Sequence, residues 1–236
     1  MKIAAVCCTY LRPKPLGRMI RCFERQDYED RELVILDDAG QYEPTQGDRW
    51  RLISLPNRFR SLGEKRNAAV GLVSPDVEAL AVWDDDDLYL PWALRASAAA
   101  LRVAPWSRPS LVLHPQPDGS LRQHRTGGLF HGGWAYRRRT FERCGGYPPM
   151  NNGEDQAFAA RLLAAGTPSA DPMRLGYCSF YVYVWDGGQH LSGMGPGGYE
   201  RLAVAPVEKT VATACDPPGL DLRNPRILPG IHARVF

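Results

Sequence analysis

Residues 82 to 91 read VWDDDDLYLP: the end of a short apolar run, then Asp84, Asp85, Asp86 and Asp87 in succession, then an apolar turn into a proline. Adjacent carboxylates repel one another, and grouping four of them costs stability unless water screens them or a cation sits among them. The run before them, ALAV at Ala79–Val82, reads as a strand, so the acids stand at a strand's carboxyl end. In open parallel sheets ligands bind outside those ends. A solvated turn has no reason to sit there, so the run reads as a site for a hard divalent cation. In nucleotide enzymes Mg2+ or Mn2+ takes one or two carboxylates and leaves its other positions to water and phosphate.

Outward from the aspartates, the first half alternates strand and helix signals. KIAAVCCTY and ELVILDDAG are compact apolar runs that end in polar residues, and between them Leu16, Met19, Ile20 and Phe23 recur at helical spacing. RLISLP, the helical SLGEKRNAAVGLV and then LPWALRASAAALR, alanine-rich with a proline near its start, continue the pattern. Strand, helix, strand in this order implies parallel pairing with right-handed crossovers. The polar ends of Ala4–Cys8, Leu33–Leu36 and Ala79–Trp83 then converge on one crevice.

After about Leu111 the alternation stops. Strand-like LVLH, a turn at QPDGS and the glycine-bearing GGLFHGGWAYRRR lead to TFERCGGYPP, read as one helical turn, and to a helix over GEDQAFAARLLAAG. LGYCSFYVYVW is the strongest strand of this half; DGGQHLSGMGPGG is a loop, and a proline-rich tail follows from about Pro206. The expected organisation is an α/β half over residues 1–115, a mixed half over 116–195 and a tail over 196–236 placed to close over the site.

With 236 residues, 44% hydrophobic and 23% charged, the chain can bury a sizeable core and is neither disordered nor fibrous. A formal charge of +3 neither requires nor excludes an anionic partner. The six cysteines show no CxxC pair, and the opening MKIAAVCC is too short for a secretory h-region. No stretch approaches a membrane-spanning length, and the reading is a cytoplasmic protein with reduced thiols.

VWDDDDLYLP resembles the DxD segment of GT-A fold glycosyltransferases, in particular the inverting glycosyltransferase family 2. CCTYLRP, LVILDDAG, GEKRNAAV and NGEDQAFAARLLAAG resemble that family's other landmarks, in family order, over about Ile3 to His190. The resemblance implies an α/β GT-A fold and transfer of a sugar from a nucleoside diphosphate sugar, with UDP the favoured nucleotide, to an acceptor hydroxyl. It implies donor contacts from Thr9, Tyr10 and Arg12, with Tyr10 against the base, from Asp38 to a uracil-like edge, and from Arg66 to the diphosphate. Asp86 becomes the direct metal ligand, Asp84 or Asp85 faces the ribose or a metal-bound water, and His190 completes the Mn2+ or Mg2+ site. Both Asp84-x-Asp86 and Asp85-x-Asp87 fit the DxD register, and the trailing LYLP favours Asp86 as the direct ligand.

Asp155 is the implied general base, with Glu154 positioning the acceptor; the same pair would also cap a helix N-terminus. Trp185 supports the His190 loop or fills the core. The basic YRRRT, Tyr136–Thr140, reads as a solvated strand end or as a contact for an anionic acceptor, a phosphorylated glycan or a modified DNA base. Acceptor specificity is expected in Gly127–Arg139 and the loop after Trp185. The rivals are a nucleotidyltransferase, for which CCTYLRPKP is poor in glycine, and a non-catalytic sugar-nucleotide or metal-binding module, which leaves Glu154–Asp155 unexplained. Sugar, acceptor and oligomeric state are not encoded legibly.

Overall fold

The structure is a computed structural model that describes residues 1–116 and 118–184. In chain order the strands and helices are β1 (Ile3–Thr9), α1 (Pro13–Glu24), β2 (Arg31–Asp37), β3 (Thr45–Gly47), β4 (Trp50–Ser54), α2 (Leu62–Gly71), β5 (Ala79–Asp84), β6 (Leu88–Tyr89), α3 (Ala93–Val103), β7 (Trp106–Ser107), β8 (Leu111–Pro115), β9 (Leu121–Arg125), β10 (Ala135–Arg137), α4 (Arg138–Arg143), α5 (Glu154–Ala164), β11 (Ser169–Ala170) and β12 (Tyr181–Val182).

One large sheet runs in the order β11-β7-β10-β5-β1-β2-β4-β3, and a smaller one in the order β6-β12-β8-β9. The central strands β5, β1, β2 and β4 are parallel, and β10 inserts antiparallel between β5 and β7. Side-chain alternation along the strands divides the core into two layers. Ile3, Ala5, Cys7, Leu33, Ile35 and Trp83 pack on α1 and α3, while Ala4, Val6, Val34, Leu36, Leu80 and Val82 pack on α2, α4 and α5. Burial on both faces is why these strands read as unbroken apolar runs.

The mixed second half is as expected in kind, but its strongest strand signal forms little sheet. Of the described residues Leu175–Val184, only Tyr181–Val182 enters a ladder; Pro172–Leu175 is a 3-10 turn closed by Gly176 at φ 90. The segment's other polar backbone groups go to single contacts: Trp92 Nε1 donates to the Cys178 carbonyl (3.1 Å) and Leu90 N to the Phe180 carbonyl (2.8 Å). Aromatic side chains there fill the gap between the two sheets, which needs bulk more than ladder length. The halves expected on either side of residue 115 share the large sheet through β10 and β11.

Candidate active site

The four aspartates sit where β5 ends, and the backbone turns them toward different partners. Asp84 accepts from Arg66 Nη2 (3.2 Å), and its backbone N–H donates to Tyr89 Oη (2.7 Å). Asp85 accepts from Thr9 Oγ1 (2.7 Å) and from Arg12 Nη1 (3.0 Å), and Asp86 accepts from the same Arg12 nitrogen (2.7 Å). Asp87 accepts from Tyr181 Oη and from the Val184 N–H (2.7 Å). Two arginines from opposite sides thus share the charge of three carboxylates, and the fourth is buried.

The electrostatics follow the burial. Desolvation raises the Asp85 carboxyl against the pull of Arg12 and Thr9. Asp87 is pushed well above the usual carboxylate range by burial and by Asp86 and Asp84 beside it. Both its oxygens are committed to β12 and to Val184 two residues beyond it, which makes it a structural acid. Asp84 and Asp86 keep the more accessible side chains, 27% and 11% exposed against 5% for Asp85. That accessibility favours the Asp84-x-Asp86 register.

Arg66 lies on α2, one turn in from its N-cap Ser61, whose side chain accepts from Glu64 N (3.2 Å). It bridges Asp84 to Glu154: its Nε donates to Glu154 Oε1 at 3.2 Å. Burial works to lower Arg66, but Asp84 and Glu154 outweigh it and hold the guanidinium well above its usual value. Glu154 is itself raised, by burial first, with Arg66 opposing. The bridge is possible because α2 lies hard against the loop before α5. Gly63 N donates to the Met150 carbonyl (3.0 Å), Leu62 N to Asn151 Oδ1 (3.0 Å), and Asn67 exchanges two hydrogen bonds with the Tyr147 backbone (2.8 and 2.9 Å).

Asp155 stands at the start of α5, after Gly153 in the left-handed region at φ 75. Its Oδ1 accepts from Gln156 N (2.8 Å) and its Oδ2 from Gln156 Nε2 (3.3 Å). Unlike Glu154, it is half-buried and has no cation paired to it among the described residues. The two neighbouring acids therefore have separate environments.

The crevice beside the end of β1 brings a residue that the sequence did not single out. Lys65, buried beside Arg66, donates to the Thr9 carbonyl (2.6 Å) and to Asp38 Oδ1, while Asp38 Oδ2 accepts from Phe59 N (3.1 Å). Both oxygens of Asp38 are thus engaged by the protein itself, and in this state it ties the end of β2 to α2 and to the loop before it. Tyr10 is half-buried, with the Arg58 guanidinium over its ring at 4.1 Å from the centroid. Arg58 gave no sequence signal; Lys65 gave a faint one, a lysine on the inner face of a helix otherwise lined by alanine and glycine.

On the other side, the backbone at Gly132 passes so close to Asp84 that a Cβ there would lie 2.9 Å from Asp84 Oδ2 and 2.7 Å from Tyr181 Oη. Buried His131 next to it faces Tyr147 Oη at 2.9 Å. The basic YRRRT lies elsewhere: Arg137 pairs with Ala79 at the starting end of β5, its Nε donates to the Leu101 carbonyl (2.9 Å), and Arg138 bonds Glu142 (2.9 Å) and the Ser74 carbonyl (3.0 Å). Those two arginines serve the fold. His190 and Trp185 lie outside the described residues, as does the tail.

Among the described residues no three His, Cys, Asp or Glu side chains form a ready-made metal cage. The donor set of Asp84 and Asp86, hard oxygens on the more accessible side chains of the run, fits Mg2+ or Mn2+ of the kind completed by diphosphate and water.

Residues 5–105 match the protein-family model described as Glycosyl transferase family 2. This segment contains Thr9, Asp38, Arg66 and the four aspartates, and Glu154 and Asp155 lie beyond it. A search of curated proteins gives no match. Among solved structures, S. aureus TarS 1-349 in complex with UDP-GlcNAc superposes with a TM-score of 0.59 at 16% identity, over 82% of this chain and 61% of that one. The mannosyltransferase PcManGT from Pyrobaculum calidifontis, in complex with GDP-Man and Mn2+, gives 0.57 at 19% identity, over 72% of this chain and 54% of that one. The chain spans about three-fifths of the TarS fragment's length and about half of PcManGT's. No described helix is long and apolar enough to cross a membrane. The chain has the GT-A fold of glycosyltransferases, and its residues 5–105 are similar to the glycosyl transferase family 2 model.

Proposed function

We propose that this protein is a metal-dependent inverting glycosyltransferase that uses a nucleoside diphosphate sugar, with UDP as the favoured nucleotide. The observation that carries this reading is the Asp84–Arg66–Glu154 bridge, which joins the donor-side aspartates to the helix bearing Asp155. Thr9, Tyr10 and Arg12 border the same crevice, in keeping with an aromatic and polar wall for a nucleotide. The two solved relatives carry a uridine and a guanosine nucleotide sugar, so the base is a matter for the assay.

In this reading Asp155 takes the proton of the acceptor hydroxyl. The freed oxygen forms its bond to the anomeric carbon from the face opposite the diphosphate, and the bond from that carbon to the phosphate oxygen breaks with its electron pair leaving on the diphosphate. Asp155 suits the task because it is half-exposed and unpaired with a cation, whereas Glu154 is spent on Arg66. Arg66 and Arg12 place positive charge at the leaving-group side. A bound Mg2+ or Mn2+, held by Asp86 with Asp84 or Asp85, supplies charge neutralisation at the diphosphate.

The test is calorimetry of UDP, GDP and dTDP with the wild type and Asp86→Asn, each with and without Mn2+, followed by turnover of Asp155→Asn. The expected result is metal-dependent binding of one nucleotide, lost in Asp86→Asn, and a kcat about 100- to 10,000-fold lower in Asp155→Asn with nucleotide binding unchanged. Binding of none of the three removes the donor reading. A product that retains the anomeric configuration removes Asp155 as the base.

A further inference from the structure

Beyond the aspartates, a solvent-open cleft of about 930 Å3 lies between residues 108–111, 122–128 and 169–174. Its lining carries Arg108, Arg122, Arg125 and Arg174 with His124, against a single carboxylate, Asp171. That carboxylate is partly committed: its Oδ1 accepts from Ser110 N (3.1 Å) and Met173 N (3.0 Å). Arg125 and Arg174 are exposed and ion-pair with no described carboxylate. Arg108 is pinned with its guanidinium over the Trp106 ring, 5.0 Å from the centroid. Gly128, at φ 80, makes room for it, since a Cβ there would come within 2.9 Å of Arg108 Nη1. Arg125 and Arg174, like charges that no described carboxylate neutralises, make a binding field for anions.

The cleft lies on the acceptor side of the proposed site. β7 is two strand positions from β5, about 10 Å across the sheet. Ser107 is level with Ala81 through their common partner Ala135, so Arg108 leaves the sheet at the edge where Asp84 stands. From the cleft the chain runs back through Leu129, whose carbonyl accepts from Gln156 Nε2 (3.3 Å) beside Asp155, to Gly132 against Asp84. The cleft's wall and the wall of the reacting centre are thus one continuous segment.

We propose that this cleft is an acceptor subsite for a phosphorylated glycan, its arginines receiving phosphate while a sugar hydroxyl reaches Asp155. The proposal rests on the glycosyltransferase reading. The volume is at the upper end of the about 300–1,000 Å3 usual for small-molecule sites, enough for an oligosaccharide. Single-stranded nucleic acid is the less fitting polyanion, because such sites stack bases on aromatic faces and the described lining has no aromatic ring besides the His124 imidazole. Guanidinium forks, by contrast, match phosphate oxygens two at a time.

The experiment measures binding of phosphorylated maltohexaose, plain maltohexaose and a twelve-residue oligothymidylate to the full chain and to Arg125→Gln/Arg174→Gln, with UDP binding read in parallel. Expected is salt-sensitive binding of the phosphorylated glycan, at least about tenfold tighter than the plain one and weakened about tenfold or more in the double variant. UDP binding should not change in the variant, which also reports that it is folded. Equal binding of the two maltohexaoses, or binding indifferent to the double substitution, overturns the proposal, as does tighter binding of the oligothymidylate. If UDP binds and the phosphorylated glycan does not, the cleft proposal falls alone. If the glycan binds through these arginines while no nucleotide does, the donor reading falls and the cleft stands as an anion site without an acceptor role.

Discussion

His131 shows how much a single buried side chain can say about this site. Its Nε2 lies 2.9 Å from Tyr147 Oη, its Nδ1 has no partner, and burial with the nearby Arg66 lowers its proton affinity well below the usual imidazole range. The fold therefore holds it neutral, whereas the unfolded chain binds a proton below about pH 6.5. A depressed histidine contributes stability that is complete above that value and is lost as pH falls toward its folded pKa. Between pH 7.5 and 5.5 the wild type should lose about 1.4 kcal/mol more stability than His131→Gln, read from urea unfolding at the two pH values. Equal losses would mean that the imidazole takes up its proton inside the fold. The sequence made the aspartates legible because four adjacent charges need a reason. It left His131 and Arg58 illegible, and Lys65 nearly so, because their significance lies in partners 16 to 56 positions away.

At the scale of elements, the Arg66 bridge depends on how closely α2 approaches the loop before α5. A side chain at Gly63 would overlap the Pro148 carbonyl oxygen, a backbone atom that cannot swing aside. Gly63→Ala should then push α2 outward and lengthen both arms of the Asp84–Arg66–Glu154 bridge, at a cost of about 1–3 kcal/mol. Thermal denaturation reads the cost, and a fall in nucleotide affinity larger than that of Gly71→Ala reads the bridge. Gly71 is the control because it sits on the same helix with open space around it. If the two variants behave alike, the helix-to-loop contact does not position Arg66. Such a contact is invisible in sequence, where GEKRN announces a helix start through its S-x-x-E cap but not what the glycine faces. The same holds for α5: the acids in its first turn read equally as helix caps and as chemistry, and only Arg66 separates Glu154 from Asp155.

At the scale of the molecule, the alternating half was readable because parallel strands buried on both faces give continuous apolar runs with helices between them. The strand pairing of the second half was not. β10 pairs over three residues with strands from about 30 to 55 positions earlier, and the smaller sheet is assembled from four segments scattered from Leu88 to Val182. What joins that sheet to the large one beside the site is Asp87, the residue after the accessible acids, through Tyr181 Oη and the Val184 N–H. Because burial raises its carboxyl, a neutral isostere should serve almost as well. Asp87→Asn should cost less than about 1 kcal/mol, while Asp87→Ala leaves a buried hydroxyl and a buried N–H without their acceptor and should cost about 2–4 kcal/mol. Hydrogen exchange locates the effect: amides of Tyr181–Val184 should lose protection in Asp87→Ala while those of β1 and β2 keep theirs. Uniform loss in both variants would instead make Asp87 a charge the core needs, and the two sheets one cooperative unit that no single acid couples.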